Sequence, residues 1–259
     1  MHADTWLTEE GAVTIQTTVR RLAFGVAALF FVATLFQLAD RLNLVVQPPD
    51  LSGATNLVQR VEAQIPYRSA IWPIFFATNV LFGVGFFVLA GLGVALAARR
   101  PSGDTARLML VWVIGVAGLL GVVAFLVRVG AVQAEIDIPY CDCGFKDQEI
   151  VSQVWAEMVV DGAVLWLING ASLLAAIGAV LAGRTFSGRE MPAAWALLGY
   201  LTAILIALAV ALSLIGQGDA SDWLTIALTG LVIPAWTLWM ALRFDAGDAG
   251  TRGPAEATS

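Results

Sequence analysis

Six apolar runs, each close to the length that crosses a bilayer, constrain this chain more than any other feature. A hydrocarbon core about 30 Å thick needs roughly 20 helical residues at ~1.5 Å each. The runs fall at about 22–39, 72–98, 108–129, 154–181, 193–215 and 223–242. Strands of a transmembrane barrel alternate polar and apolar residues, whereas these runs are apolar on nearly every face, so the fold class is all-α. Composition agrees. The chain is 59% hydrophobic and only 13% charged, where a soluble domain carries about a quarter charged residues. Water could not be the solvent for that much apolar surface, so the expected partner is the lipid bilayer. A net charge of −6 and the lack of a basic stripe exclude nucleic acid.

Arg20-Arg21 ahead of the first run resembles the start of a signal peptide, but Phe36-Gln37-Leu38-Ala39-Asp40-Arg41 offers no small-x-small cleavage site. The run reads as an uncleaved first helix.

Basic residues orient the bundle. Arg20, Arg21, Arg99, Arg100, Arg107, Arg184, Arg189 and Arg243 fall on one side, which the positive-inside rule makes cytoplasmic. The opposite loops carry Glu135, Asp137, Asp142, Asp147, Glu149, Asp219 and Asp222. Tyr67, Trp72, Trp155 and Trp223 would mark the outer interface, and Trp112, Trp195, Trp236 and Trp239 the inner one. The expected organisation is a cytoplasmic segment 1–19, a six-span domain 20–243 and a disordered cytoplasmic tail 244–259, in a multi-pass protein of the cell membrane.

Short turns around Pro101 and Gly103, and before Pro192, force spans two and three, and spans four and five, to pack as antiparallel neighbours. In the first outer loop, Ala54, Val58, Val61 and Ile65 recur at helical spacing, which predicts a short amphipathic helix on the membrane surface or over the bundle.

Small residues bring helices together in lipid. Ala171, Ala175, Ala179 and Gly183 in span four, and Ala203, Ala207 and Ala211 in span five, repeat every four residues. Span three has Gly115, Gly118 and Gly121. These stripes read as internal packing, with a dimerisation face, and hence an oligomer, as the alternative.

Ionisable groups at membrane depth are costly and therefore informative. Arg128 lies late in span three, and Glu157 and Asp161 lie early in span four, four residues apart and so on one helical face. The topology gives them similar depth, which predicts an Arg128–Asp161 ion pair with Glu157 nearer water. The cluster reads either as a solute- or proton-binding site or as a pair that fixes helix register. Asn79, Asn169, Ser172, Tyr200 and Thr202 add polar groups at depth, which read as glue between helices, Asn79 and Asn169 above all, with a substrate path as the alternative; Pro234 is expected to kink span six, with a gating hinge as the alternative.

Tyr140-Cys141-Asp142-Cys143-Gly144 is the most unusual local feature. Two cysteines two residues apart close a small, strained ring if oxidised. The motif reads as a structural loop, a redox pair, or a metal site with Asp142 among its oxygen ligands. It is not the C-x-x-C spacing of zinc or thioredoxin-like sites. The only histidine is His2, on the other side of the membrane in this topology. The chain shows no phosphate-binding loop, zinc-protease helix or nucleophile elbow, so no cofactor is expected and enzyme activity stays open, resting on the cysteine pair alone.

Some local features carry a resemblance. Ala54-Thr55-Asn56-Leu57-Val58 precedes span two, Arg128-Val129-Gly130-Ala131 closes span three, Met191-Pro192 opens span five, and Leu198-Gly199-Tyr200 follows. In these, and in layout from about Arg20 to Arg243, the chain resembles a family of bacterial six-span integral membrane proteins known as a domain of unknown function. The resemblance implies architecture and no activity, and the Cys141/Cys143 loop departs from it. Three readings follow: a membrane protein binding a small solute, lipid or partner at an outer polar site, a thiol-redox or metal-handling protein, and an accessory subunit of a membrane complex.

Overall fold

The computed structural model describes residues 9–53, 55, 57–101, 103–137, 146–188 and 190–244. The chain forms α1 (Glu9–Arg41), α2 (Leu57–Ala97), α3 (Thr105–Asp137), α4 (Lys146–Phe186), α5 (Ala193–Leu214), α6 (Gly218–Ala227), a π-helical turn (Leu228–Val232) and α7 (Ile233–Arg243). Among the described residues, six stretches are long and apolar enough to cross a membrane: Val13–Arg41, Pro66–Ala97, Thr105–Gln133, Met158–Phe186, Ala193–Leu214 and Gly218–Arg243. This is the architecture of a polytopic membrane protein.

Several helices outrun the expected spans. α2 and α4 each have 41 residues, which at ~1.5 Å per residue is about 60 Å, twice a hydrocarbon core. Of the residues expected to form a separate amphipathic helix, Val58, Val61 and Ile65 are instead in the opening turns of α2, and Ala54 lies outside the described residues. Pro66 and Pro73 lie inside that helix and do not end it, since each removes only one N–H donor. The side chain of Gln59 accepts the Thr55 N–H at 2.8 Å, tying the loop to the first turn. α1 likewise begins before Arg20, and Val19 is fully buried, so part of the expected cytoplasmic segment belongs to the bundle. Of the expected tail, residues 245–259 lie outside the described residues.

Local chemistry sets the turns. Asp104 caps α3 by accepting the Ala106 N–H at 2.9 Å. Arg100 donates to the Thr185 carbonyl at 2.7 Å, tying the α2–α3 turn to the C-terminus of α4. Gly216 ends α5 with φ +80°, and the Gln217 N–H reaches back to the Leu212 carbonyl, the left-handed cap that glycine allows. α6 follows at once.

Neighbours pack in chain order from α1 to α6, and α7 with the π turn returns to α1, so the spans close into a ring. Among the described residues, the opposite pairs α1 and α4, α2 and α5, and α3 and α7 do not approach one another. The α2–α3 seam is tight because a Cβ at Gly121 would stand 2.3 Å from the Phe86 ring, and one at Gly118 would stand 2.6 Å from the Phe86 carbonyl. A Cβ at Gly115 would meet nothing within 4 Å.

On α4 the small-residue stripe is mostly interior. Ala171, Ala179 and Gly183 are buried and Ala175 is half-buried. On α5 only Ala203 is buried, while Ala207 and Ala211 are exposed. A four-residue step drifts by roughly 40° per repeat on a 3.6-residue helix. The α5 stripe therefore leaves the arc actually buried, which runs through Trp195, Gly199, Thr202, Ile206 and Ala209.

One inner belt expectation also changes. Trp195 and Trp236 are core residues, 0% and 6% exposed, and stack with ring centroids 5.1 Å apart. Trp112, 68% exposed, keeps a surface position.

Candidate functional site: a cavity with a charged mouth

Because opposite helices do not meet, the ring encloses a cavity of about 660 Å³ lined by all six spans. That volume falls within the range of small-molecule sites. At one end its lining includes Arg41, Arg128, Asp161 and Asp222, all also exposed, so the cavity opens there. This is the acidic end of the bundle, where α1 stops and α6 begins. Toward the arginine-rich end the lining reaches Trp236 and Thr237. Trp195, Phe186, Phe244, Met240 and Leu96 are fully buried in the core at that end.

Four buried rings form one wall. Phe82 stacks on Phe125 at 5.4 Å, Phe30 meets Phe82 edge-on at 5.6 Å, and Phe86 touches both Phe30 and Phe125. All four line the cavity. Polar groups interrupt the apolar lining at depth. Asn79 and Asn169 are 3% and 8% exposed and both are cavity residues, with Thr202, Ser221, Thr229 and Thr237.

The amides do not bridge helices as expected. Asn79 donates back to the Phe75 carbonyl of its own helix at 2.7 Å. The Asn169 Nδ2 is buried without a hydrogen-bond partner, as is Oε1 of Gln37 nearer the mouth. Thr202 bonds to Leu198 within α5. An unpaired buried polar group costs about 1–3 kcal/mol.

At the mouth, the Arg128 guanidinium sits 5.4 Å from the centroid of the Phe75 ring. Arg128 and Asp161 line the same cavity rather than facing lipid on separate sides. Asp40, half-buried at the end of α1, lies within electrostatic reach of both Arg128 and Arg41. Arg41 pairs with Asp219 and, at 3.7 Å, with Asp222, fastening α1 to the start of α6. Glu157 lies in α4 one turn before Asp161, but its side chain is outside the described residues, as are Cys141, Asp142 and Cys143. Among the described residues no group of three or more His, Cys, Asp or Glu could hold a metal.

Sequence reasoning missed Asp40, Arg41, Gln37 and the aromatic wall. Asp40-Arg41 could have been found as charges closing an apolar run. The phenylalanines carried no signal separating cavity-facing from lipid-facing rings.

The fold and this site define a polytopic α-helical membrane protein built around an internal cavity. No family model matches the chain, and neither a curated protein nor a solved structure matches it. What stands of the family resemblance is therefore its six apolar helices.

Proposed function

We propose that this is a multi-pass protein of the cell membrane that binds a small molecule inside its bundle, admitted from the outer face between Arg128 and Asp161. The arginine-rich end is cytoplasmic in this reading, since translocating that many arginines is disfavoured. The observation that carries the proposal is the closed ring of helices around a cavity lined by two amide atoms without partners, Asn169 Nδ2 and Gln37 Oε1. A bundle selected only for packing would fill that space with side chains, as protein interiors do. The charged mouth and the apolar plug give access from one side, as a receptor or the outward-open state of a carrier requires.

Thiol accessibility tests this. In a chain carrying Cys141→Ser and Cys143→Ser, Ser172→Cys on the cavity wall should react with small, water-soluble methyl methanethiosulfonate at least tenfold faster than Leu173→Cys on the outside of the same helix. Equal, negligible reaction at both positions would remove the hydrated cavity.

A further inference from the structure

Past the mouth, the polar groups that line the cavity differ in whether they are already bonded. Thr202 donates to the Leu198 carbonyl at 2.7 Å, Thr237 to the Ile233 carbonyl at 2.8 Å and Asn79 to the Phe75 carbonyl at 2.7 Å, each within its own helix. Asn169 differs. It is 8% exposed, it lines the cavity, and its Nδ2 has no acceptor. Nε1 of Trp236 is also unpaired, but it lies against α5, 3.0 Å from where a Cβ on Gly199 would stand. A carboxamide that joined helices would reach an acceptor on a neighbour, and Nδ2 of Asn169 reaches none. Asn169 lies about 12 Å along α4 from Asp161. The charged lining residues, Asp40, Arg41, Arg128, Asp161 and Asp222, all belong to the mouth, so at the depth of Asn169 the described lining is uncharged. An ion seated there would shed its water and gain no counter-charge. A ligand that displaces water from Asn169 and offers no acceptor loses those bonds. Sites with a buried polar group reject analogues that leave it unpaired.

We infer that the cavity binds a small uncharged molecule with a hydrogen-bond acceptor, a carbonyl, ether or hydroxyl oxygen, that takes the Asn169 side-chain N–H. The apolar lining, with Phe82, Phe125, Ile168 and Ile206 among it, receives the rest of the molecule. The inference rests on the small-molecule reading above and adds the ligand class and the residue that selects it.

The test uses three probes of similar size on the full chain in lipid nanodiscs. They are acetophenone, α-methylstyrene, in which a methylene replaces the carbonyl oxygen, and benzoate, whose acceptor is ionised. Each is titrated by free aqueous concentration as a protectant of Ser172→Cys against methyl methanethiosulfonate, in the chain carrying Cys141→Ser and Cys143→Ser. Acetophenone should half-protect at a concentration about tenfold or more below either other probe. Asn169→Leu, close in volume and without the donor, should raise the acetophenone concentration about tenfold and leave that of α-methylstyrene unchanged. Comparing the three probes with Asn169 in place keeps the test decisive even if the variant folds poorly. α-Methylstyrene or benzoate protecting as well as acetophenone, or no protection by any probe at a reactive Ser172→Cys, would overturn the ligand class while the hydrated cavity stands. Unchanged acetophenone protection in a folded Asn169→Leu chain would overturn the role of Asn169. An unreactive Ser172→Cys would overturn the cavity and this inference together.

Discussion

The hydroxyls of Thr34 and Thr229 meet at 2.8 Å across the seam between α1 and the π turn, and Thr229 lies 2.8 Å from the Thr225 carbonyl of its own helix. Thr34 also lies 2.8 Å from the Phe30 carbonyl, so with one proton on each hydroxyl, one bond crosses the seam and the other goes to a helix carbonyl. This seam closes the ring, and it is fastened at three depths. Arg41 holds Asp219 and Asp222 at the acidic end, the threonines hold the middle, and Arg20 donates to the Ala241 and Leu242 carbonyls at 3.0 and 2.8 Å at the other end. A double-mutant cycle of Thr34→Val and Thr229→Val should give a coupling of about 0.6 kcal/mol, up to ~1.7, the range found between membrane helices. Unfolding in micelles measures it, and strictly additive variants would show that the hydroxyls do not act together.

The same seam explains the π turn. A Cβ at Gly230 would lie 2.8 Å from Cγ2 of Thr34, so α1 approaches the irregular backbone more closely than alanine allows. The turn stands directly before Pro234, whose ring would crowd a regular ladder and whose missing N–H leaves a bond unmade. The expected disturbance near Pro234 thus takes the form of a widened turn. Gly230→Ala should lower stability by about 1–3 kcal/mol through overpacking, read in the same unfolding assay; a neutral effect would mean that the helices can part without cost.

Gly121 links packing to the cavity. An added methyl would meet the Phe86 ring at 2.3 Å, and Phe86 is a cavity residue. Gly121→Ala should destabilise by about 1–3 kcal/mol and slow thiol modification of Ser172→Cys by displacing the ring. Gly115→Ala, with open space at its Cβ, is the control and should change neither. Identical behaviour of the two variants would contradict the asymmetry of the α2–α3 seam.

The stacked tryptophans differ in what their nitrogens do. The Trp195 indole N–H donates to the Trp236 carbonyl at 3.1 Å, whereas Nε1 of Trp236 is buried with no partner. Trp195→Phe loses stacking area and a hydrogen bond. Trp236→Phe loses comparable area but also relieves an unsatisfied donor. Trp195→Phe should therefore cost more, by about 1 kcal/mol or somewhat above. Equal costs in thermal unfolding would mean that the Trp236 nitrogen finds a partner in lipid.

The helices were legible because apolar length is nearly sufficient to define a span. The neighbour pairs α2–α3 and α4–α5 were legible because short turns leave no alternative. The ring and its cavity were not, since closure depends on which arc each helix buries, and helices apolar all round show no preferred arc. The α5 stripe illustrates this: Ala203, Ala207 and Ala211 looked like one face, yet helical drift carries the last two outside. Arg128 and Asp161 stood out because charge is rare at that depth. Phe82 and Phe125 did not, because phenylalanine suits lipid and cavity equally.

Solvent access along α4 tests the account most directly. Nitroxides placed singly at Ile168, Ser172 and Ala175, which line the cavity, and at Trp166, Leu173 and Ile177, which are exposed on the outside of the bundle, would be read in lipid by collision with a polar nickel chelate and with oxygen. The account predicts nickel access at the first three, oxygen access with little nickel at the second three, and a period near 3.6 residues between them. Uniformly low nickel access at all six positions would mean a dry, filled bundle, and high nickel access at Trp166, Leu173 and Ile177 would mean that lipid does not surround this helix at all.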